Sequence, residues 1–293
     1  MRSYSPSEKL FDLCNAAILV VLSLTCLLPF VNVLAVSLST SSAANAGEVG
    51  LWPVGFTLES YQFALSRVSF LRSIGNSFVR LVVGISINML LTIMTAYPLS
   101  KSSKVFPGRT VFAWFFALTM MISGGLIPMY LVVESTQISN TIWALILPYA
   151  VPVFNVLVLL SFFRTMPASI EESAIIDGAG SWRILFHIYV PLALPSLATL
   201  IIFQAVFHWN EWLWGLIFMD KVTSYPLATY LRNVLQNPSF DTLRLDEIQQ
   251  SLRVSGRTSR AAQILIGMLP ILLVYPFMQK YFIKGLTLGG VKE

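Results

Sequence analysis

Apolar and polar positions fall in long alternating blocks along this chain. Six apolar runs, at about 11–37, 76–99, 110–131, 142–163, 194–218 and 261–282, are separated by polar stretches. Each run reaches or exceeds the roughly 20 residues a helix needs to cross a hydrocarbon core of ~30 Å. No water satisfies backbone groups inside a bilayer, so a spanning chain folds as helices or as a closed barrel. Barrels require short strands of alternating polarity, and the pattern holds none. It predicts an all-α polytopic membrane protein with six transmembrane helices, folded as a single domain over residues 1–293. The first run exceeds the 7–15 residues of a signal-peptide core and five more follow, so it reads as a retained helix.

The polar stretch from Glu171 to Pro191 is finely organised. Ser169-x-x-Glu172 has the spacing of a capping box, in which hydroxyl and carboxylate satisfy free N–H groups at a helix start. Asp177-Gly178 supplies a residue suited to positive φ, where a first short helix stops. Ser181 has the chemistry to cap a second, whose Trp182, Leu185, Phe186 and Tyr189 recur at helical spacing. Two short helices joined at a glycine, between two membrane spans, read as a surface for something to dock on.

Composition supports this class. Only 11% of the residues are charged and 56% are hydrophobic, against roughly 25% charged in soluble domains. The short connector 101–109 is purely basic, which holds it in the cytoplasm. Six spans then place both termini and the 164–193 loop on that side too. The net charge of +5 reflects this bias and contact with lipid, and without basic–aromatic interleaving it points to no nucleic acid. Cys14 and Cys26 share the first run and imply neither a disulfide framework nor a metal site. The chain holds no phosphate-binding loop, two histidines on different segments, and no nucleophile or metal constellation, so no catalytic residue, cofactor site or metal site is expected.

Ionisable residues inside a span are costly unless they face a cavity or a partner. Gln204, His208 and Glu211 recur at i, i+4, i+7 on the fifth run, with Asn210, Trp209, Trp212 and Trp214 beside them. Acids, amides and aromatic rings suit sugars, which offer hydroxyl edges and apolar faces. Gln204, His208, Asn210, Glu211 and Trp212 are therefore the candidate substrate path; the competing reading is an aromatic belt at the membrane interface. Asn88, Thr92 and Thr95 read as polar glue between packed helices. Arg80 is expected to snorkel to the outer surface, and Gly124-Gly125 to allow close approach or a kink. Outside, Thr57-x-x-x-Tyr61 starts a short helix. The 219–260 segment, with its Asn237-Pro238-Ser239 turn, Asp246-Glu247 and Arg253, Arg257 and Arg260, reads as a partly helical cap.

Glu172-Ser173-Ala174-x-x-x-Gly178, nine residues, then Ile188-x-Val190-Pro191 resembles the EAA loop of bacterial ABC-importer permeases. Ser173 departs from the family's Ala and Val190 from its Leu, both mild exchanges. Gly125–Tyr130, Ser139–Pro148, His208–Trp212, Tyr275–Phe282 and Lys284–Lys292 are similar to the carbohydrate-uptake branch, and within it to the second-permease type. The resemblance implies a coupling helix at about 169–183, with Glu171, Glu172, Ser173, Ala174, Asp177, Gly178 and Ala179 as the ATPase-coupling residues and Glu172 facing basic groups of the ATPase. Ile170, Ala174 and Ile175 would add an apolar docking face. It further implies a heterodimer with a second permease, two ATPase subunits that bind ATP and Mg, an external solute-binding protein and an oligosaccharide substrate. The chain itself would lie in the cell membrane and catalyse nothing. The alternatives are an ABC permease for other solutes such as peptides, a stand-alone secondary transporter, which needs ion sites near the midplane, and a membrane enzyme.

Overall fold

The computed structural model describes residues 6–236 and 255–290. The expected Asn237-Pro238-Ser239 turn, Asp246-Glu247, Arg253 and the last residues Val291–Glu293 lie outside them. Among the described residues all regular structure is helical. The chain runs through α1 (Pro6–Ser37), α2 (Ser41–Ala46), α3 (Glu59–Ser66), α4 (Val68–Ser100), α5 (Arg109–Met121), α6 (Leu126–Ser135), α7 (Ile142–Ile146) and α8 (Val153–Arg164). Then come α9 (Ala168–Ile176), α10 (Ser181–Ile184), α11 (Val190–Leu192), α12 (Leu194–Asn210), α13 (Leu213–Phe218), α14 (Leu227–Gln236) and α15 (Gly256–Gly290).

Three helices are long and apolar enough to cross a membrane unbroken: Leu10–Ser37, Val68–Ser100 and Gly256–Pro276. Three bent pairs bring the total to as many as six. The expected span at about 110–131 is one of these bent pairs. Helices α5 and α6 meet at 117°, because Gly125 takes φ +83° and ψ −171°, a conformation open essentially only to glycine. The glycine pair thus makes a break far sharper than a kink. The fourth run bends by 45° before Val153, where Pro152 holds an extended conformation.

The chain forms two compact bodies, one of Met1–Phe70 with Leu231–Leu269, the other of Leu71–Tyr230 with Pro270–Glu293. In the first, α1 is apolar on all sides and none of its most hydrophobic stretch is buried, as befits a helix in contact with lipid or another chain. The loop after it is well tied. Asn32 Nδ2 donates to the Gly50 carbonyl at 2.7 Å, and the Val54 N–H donates to Ser39 Oγ at 3.0 Å. Two of the expected external arginines serve local structure: Arg257 donates to the Ala44 carbonyl at 2.9 Å and Arg260 to that of Gly256 at 2.8 Å.

The second body is built around α4, α8 and α12. Ala96, Leu99, Val156, Leu159, Phe163, Leu185, Leu197 and Leu200 form its apolar centre. Ala96 and Leu99 come from α4, Val156, Leu159 and Phe163 from α8, and Leu197 and Leu200 from α12.

Candidate functional site

The 164–193 loop lies at one end of this core. Pro167, with φ −60° and ψ 129°, is the residue before α9, and no side chain caps the helix. The expected Ser169/Glu172 capping box is therefore not formed. The proline ring sets the helix start two residues early, leaving Ser169 inside the first turn where its hydroxyl no longer reaches the cap position. Likewise Gly180, not Ser181, precedes α10. The end of α9 follows the sequence. Gly178 takes φ +76°, its N–H bonds to the Ile175 carbonyl at 3.0 Å, and the Ala179 N–H bonds to that of Ala174 at 2.9 Å. This double closure is a Schellman motif.

A Cβ at Gly178 would meet no atom within 4 Å, so a substitution there is penalised by backbone strain alone. Gly178→Val is expected to destabilise the loop by about 1–2 kcal/mol, and Gly178→Asn by clearly less. Thermal unfolding of each purified variant in detergent checks this order.

The second helix is not one continuous amphipathic turn. Residues Leu185–Tyr189 form a wide π turn, and the extra residue per turn rotates the stripe. Leu185 and Tyr189 are buried, whereas Trp182 and Phe186 stay exposed, their rings stacked 6.0 Å apart. The face expected from Ile170, Ala174 and Ile175 is also divided. Ala174 packs into the apolar centre, while Ile175 and, at 86% exposure, Ile176 project outward. Glu172, Ser173, Asp177 and Gly178 are exposed and Ala179 is half-buried.

Glu171 turns inward. Its Oε1 lies 2.6 Å from Lys101 Nζ and its Oε2 accepts from the Tyr189 hydroxyl at 2.6 Å. The Lys101 ammonium also sits 3.9 Å from the ring centre of Tyr97 and 4.3 Å from that of Tyr189. Burial works to raise the Glu171 pKa, but the hydrogen bonds from Lys101 and Tyr189 and the lysine's charge outweigh it and hold the carboxyl below its usual 4.5. A group whose folded pKa is lowered stabilises the fold above its ordinary value and loses that effect only as pH falls through the lowered one. Glu171 is thus a carboxylate at neutral pH, while burial outweighs the pull of that carboxylate and lowers the Lys101 pKa from its ordinary value. Burial and the Glu171 hydrogen bond raise the pKa of the Tyr189 phenol, which remains a donor.

The candidate substrate path is drawn into the fold. Helix α12 ends at Asn210 and Glu211 is already extended, with φ −71° and ψ 119°. The expected i, i+4, i+7 stripe is therefore cut before its last member. Glu211 Oε2 lies 2.8 Å from Arg80 Nη2, its carbonyl accepts from Nη1 at 3.1 Å, and its Oε1 accepts the Trp214 N–H at 2.8 Å. The carboxylate so caps α13 while a guanidinium neutralises it. Arg80 does not snorkel; its side chain is 0% exposed, because a partner within reach lowers the energy of staying inside.

His208 is fully buried, with Nε2 2.7 Å from Asn88 Oδ1. Asn88 also donates to the Tyr149 carbonyl at 2.7 Å and that of Ala150 at 3.0 Å, so it joins helices as expected. Gly84 makes room for the imidazole: a Cβ there would stand 2.6 Å from His208 Nε2. Gln204 is buried, Trp212 half-buried, and Asn210 exposed, donating to the Val206 carbonyl at 3.0 Å. The segment after Glu211 is fastened too, by the Asn140 and Asp220 side chains, by Thr229 Oγ1 donating to the Trp212 carbonyl at 2.8 Å, and by the Leu227 N–H donating to Ser77 Oγ at 2.7 Å.

Sequence reasoning missed Lys101, Tyr97 and Arg80 as members of these clusters. The available signal was local: Tyr97 and Lys101 stand at i, i+4, just where a span meets a basic connector.

Apolar helices broken where buried polar side chains converge, with an ordered polar loop at one end, define a polytopic helical membrane protein. The family of binding-protein-dependent transport system inner membrane components matches residues 63–288, and the chain belongs to it. It is 36% identical over 285 residues to the polygalacturonan/rhamnogalacturonan transport system permease protein YtcP of Bacillus subtilis (strain 168), covering 97% of this chain and 99% of that one. Protein LplC of the same organism is 36% identical over 284 residues, 97% of this chain and 95% of that one. The fold matches, with a TM-score of 0.90 and 30% identity over 96% of this chain and 100% of the other, a chain from a bacterial ABC transporter involved in the import of the acidic polysaccharide alginate.

Proposed function

We propose that this chain is the permease subunit of an ATP-driven importer that passes acidic oligosaccharides, delivered by an external solute-binding protein, across the cell membrane. It pairs with a second permease and with two ATPase subunits. ATP and Mg reside on those ATPases, and this chain contributes no catalytic group. Both termini and the 164–193 loop face the cytoplasm, where Glu172, Ser173, Asp177, Gly178 and Ala179 meet the ATPase. Closure of the ATPases on ATP shifts the bundle between inward-open and outward-open states, each favoured by different contacts. The observation that carries the reading is near full-length similarity to a permease whose name specifies galacturonan-type polysaccharides. The alginate importer, also named for an acidic polysaccharide, supports the same cargo class.

Uptake of a labelled oligogalacturonide into proteoliposomes holding the complete complex tests this directly. Uptake is expected to require both the binding protein outside and ATP on the loop side, with neutral maltooligosaccharides competing at least roughly tenfold less well, a difference of about 1.4 kcal/mol. Uptake by this chain alone on a proton or sodium gradient would overturn it.

A further inference from the structure

We propose that Lys101 is a positioning residue: caged by Tyr97 and Tyr189 and paired with Glu171, it latches the 164–193 loop to the end of α4, so that a push on the loop moves α4 as one piece. This role rests on the chain being a permease driven by a separate ATPase.

The geometry is that of a built joint. Tyr97 lies in the last turn of α4, Lys101 is the next residue after the helix, Glu171 lies on α9 and Tyr189 in the π turn. The ammonium makes a 2.6 Å contact with one carboxylate oxygen, the phenol a 2.6 Å contact with the other, and two aromatic rings flank the charge. The rings support one another, Tyr97 edge-on to Tyr189 at 5.1 Å and Tyr189 edge-on to Phe163 at 5.2 Å.

An isolated surface ion pair is weak because water and salt screen it and two long side chains lose freedom. Here the Lys101 side chain is 10% exposed and the cation is held by quadrupole attraction on two sides. Within α9 the apolar anchor is slight: Ala174 is its one buried residue, while Ile184, Leu185 and Tyr189 bury the later part of the loop in the same cluster as Leu99. A methyl group resists sliding poorly. A charge-assisted pair with both carboxylate oxygens engaged fixes direction as well as distance. The lowered Glu171 pKa agrees with a carboxylate kept charged in this cage.

The test uses the complete complex in proteoliposomes and reads the number of labelled oligogalacturonides taken up per ATP hydrolysed. Lys101→Met is expected to lower that ratio roughly fivefold or more, the scale of a coupling between two sites. Lys101→Arg, which keeps the charge, restores most of it. Tyr189→Phe, which keeps the ring and removes one hydrogen bond, gives an intermediate loss, and it stands in if Lys101→Met fails to assemble. An unchanged ratio in Lys101→Met or Tyr189→Phe contradicts the latch, and so does a proportional fall of uptake, hydrolysis and complex yield. Absence of ATP-driven uptake by the unaltered complex contradicts the permease reading instead.

Discussion

Arg80→Met is expected to destabilise the protein by about 3–5 kcal/mol, because it leaves the Glu211 carboxylate inside the fold without its counter-charge. The pair is well placed for such an effect, with the two side chains 0% and 10% exposed and 2.8 Å apart. Glu211→Gln alone strands the guanidinium and is expected to cost a similar amount. The double change Arg80→Met/Glu211→Gln removes both charges and keeps an acceptor for the Trp214 N–H. It should recover most of the loss, since replacing a buried pair as a unit is often nearly neutral. Thermal unfolding of the purified protein in detergent, run as a double-mutant cycle, checks this. Each single variant should lose roughly 10 °C in Tm and the double variant only a small part of it. Simple additivity would show that the two groups do not act as a pair.

The second large effect is expected at the loop surface. Ile176 projects at 86% exposure; Ile175, Trp182 and Phe186 on the same loop are exposed too, the last two with their rings stacked. Burying one such side chain against a partner contributes about 1.5–3 kcal/mol, a factor of roughly 10–150 in affinity. Ile176→Asp should therefore reduce ATPase co-purification by at least tenfold. The Tm of the isolated chain should not change, because a side chain that exposed loses little packing of its own. Glu172→Gln is expected to do less, since a solvated charge contributes modestly. Retention of the ATPase by Ile176→Asp would place the docking surface elsewhere on the loop.

Much of this was legible in the sequence because membranes simplify it. Apolar runs of the required length admit essentially one fold class, and the glycine after Asp177 marked the end of α9 because only a positive φ closes that turn cheaply. Two kinds of feature were not legible. Helix starts carry competing signals: both Pro167 and Ser169 announce one, and the proline, which restricts its own backbone, wins. Contacts between distant residues leave no local trace. Lys101 and Glu171 stand 70 positions apart and Arg80 and Glu211 131, so each looked alone. Arg80 read as a snorkelling residue and Glu211 as part of the substrate path, whereas the fold pairs each with the other. The π turn was equally invisible, since one extra residue in a turn changes which of Trp182, Leu185, Phe186 and Tyr189 face outward without altering their spacing.

Cross-linking at Ile176 most directly tests the claim that this loop is where an ATPase acts on the membrane subunit. In a background where Cys14 and Cys26 are replaced by Ala, Ile176→Cys should react in intact cells only with reagents that cross the membrane. In purified complexes it should join to the ATPase subunit in a yield that changes when ATP is bound. Labelling of intact cells by a membrane-impermeant thiol reagent, or linkage to the external binding protein in place of the ATPase, would contradict the account.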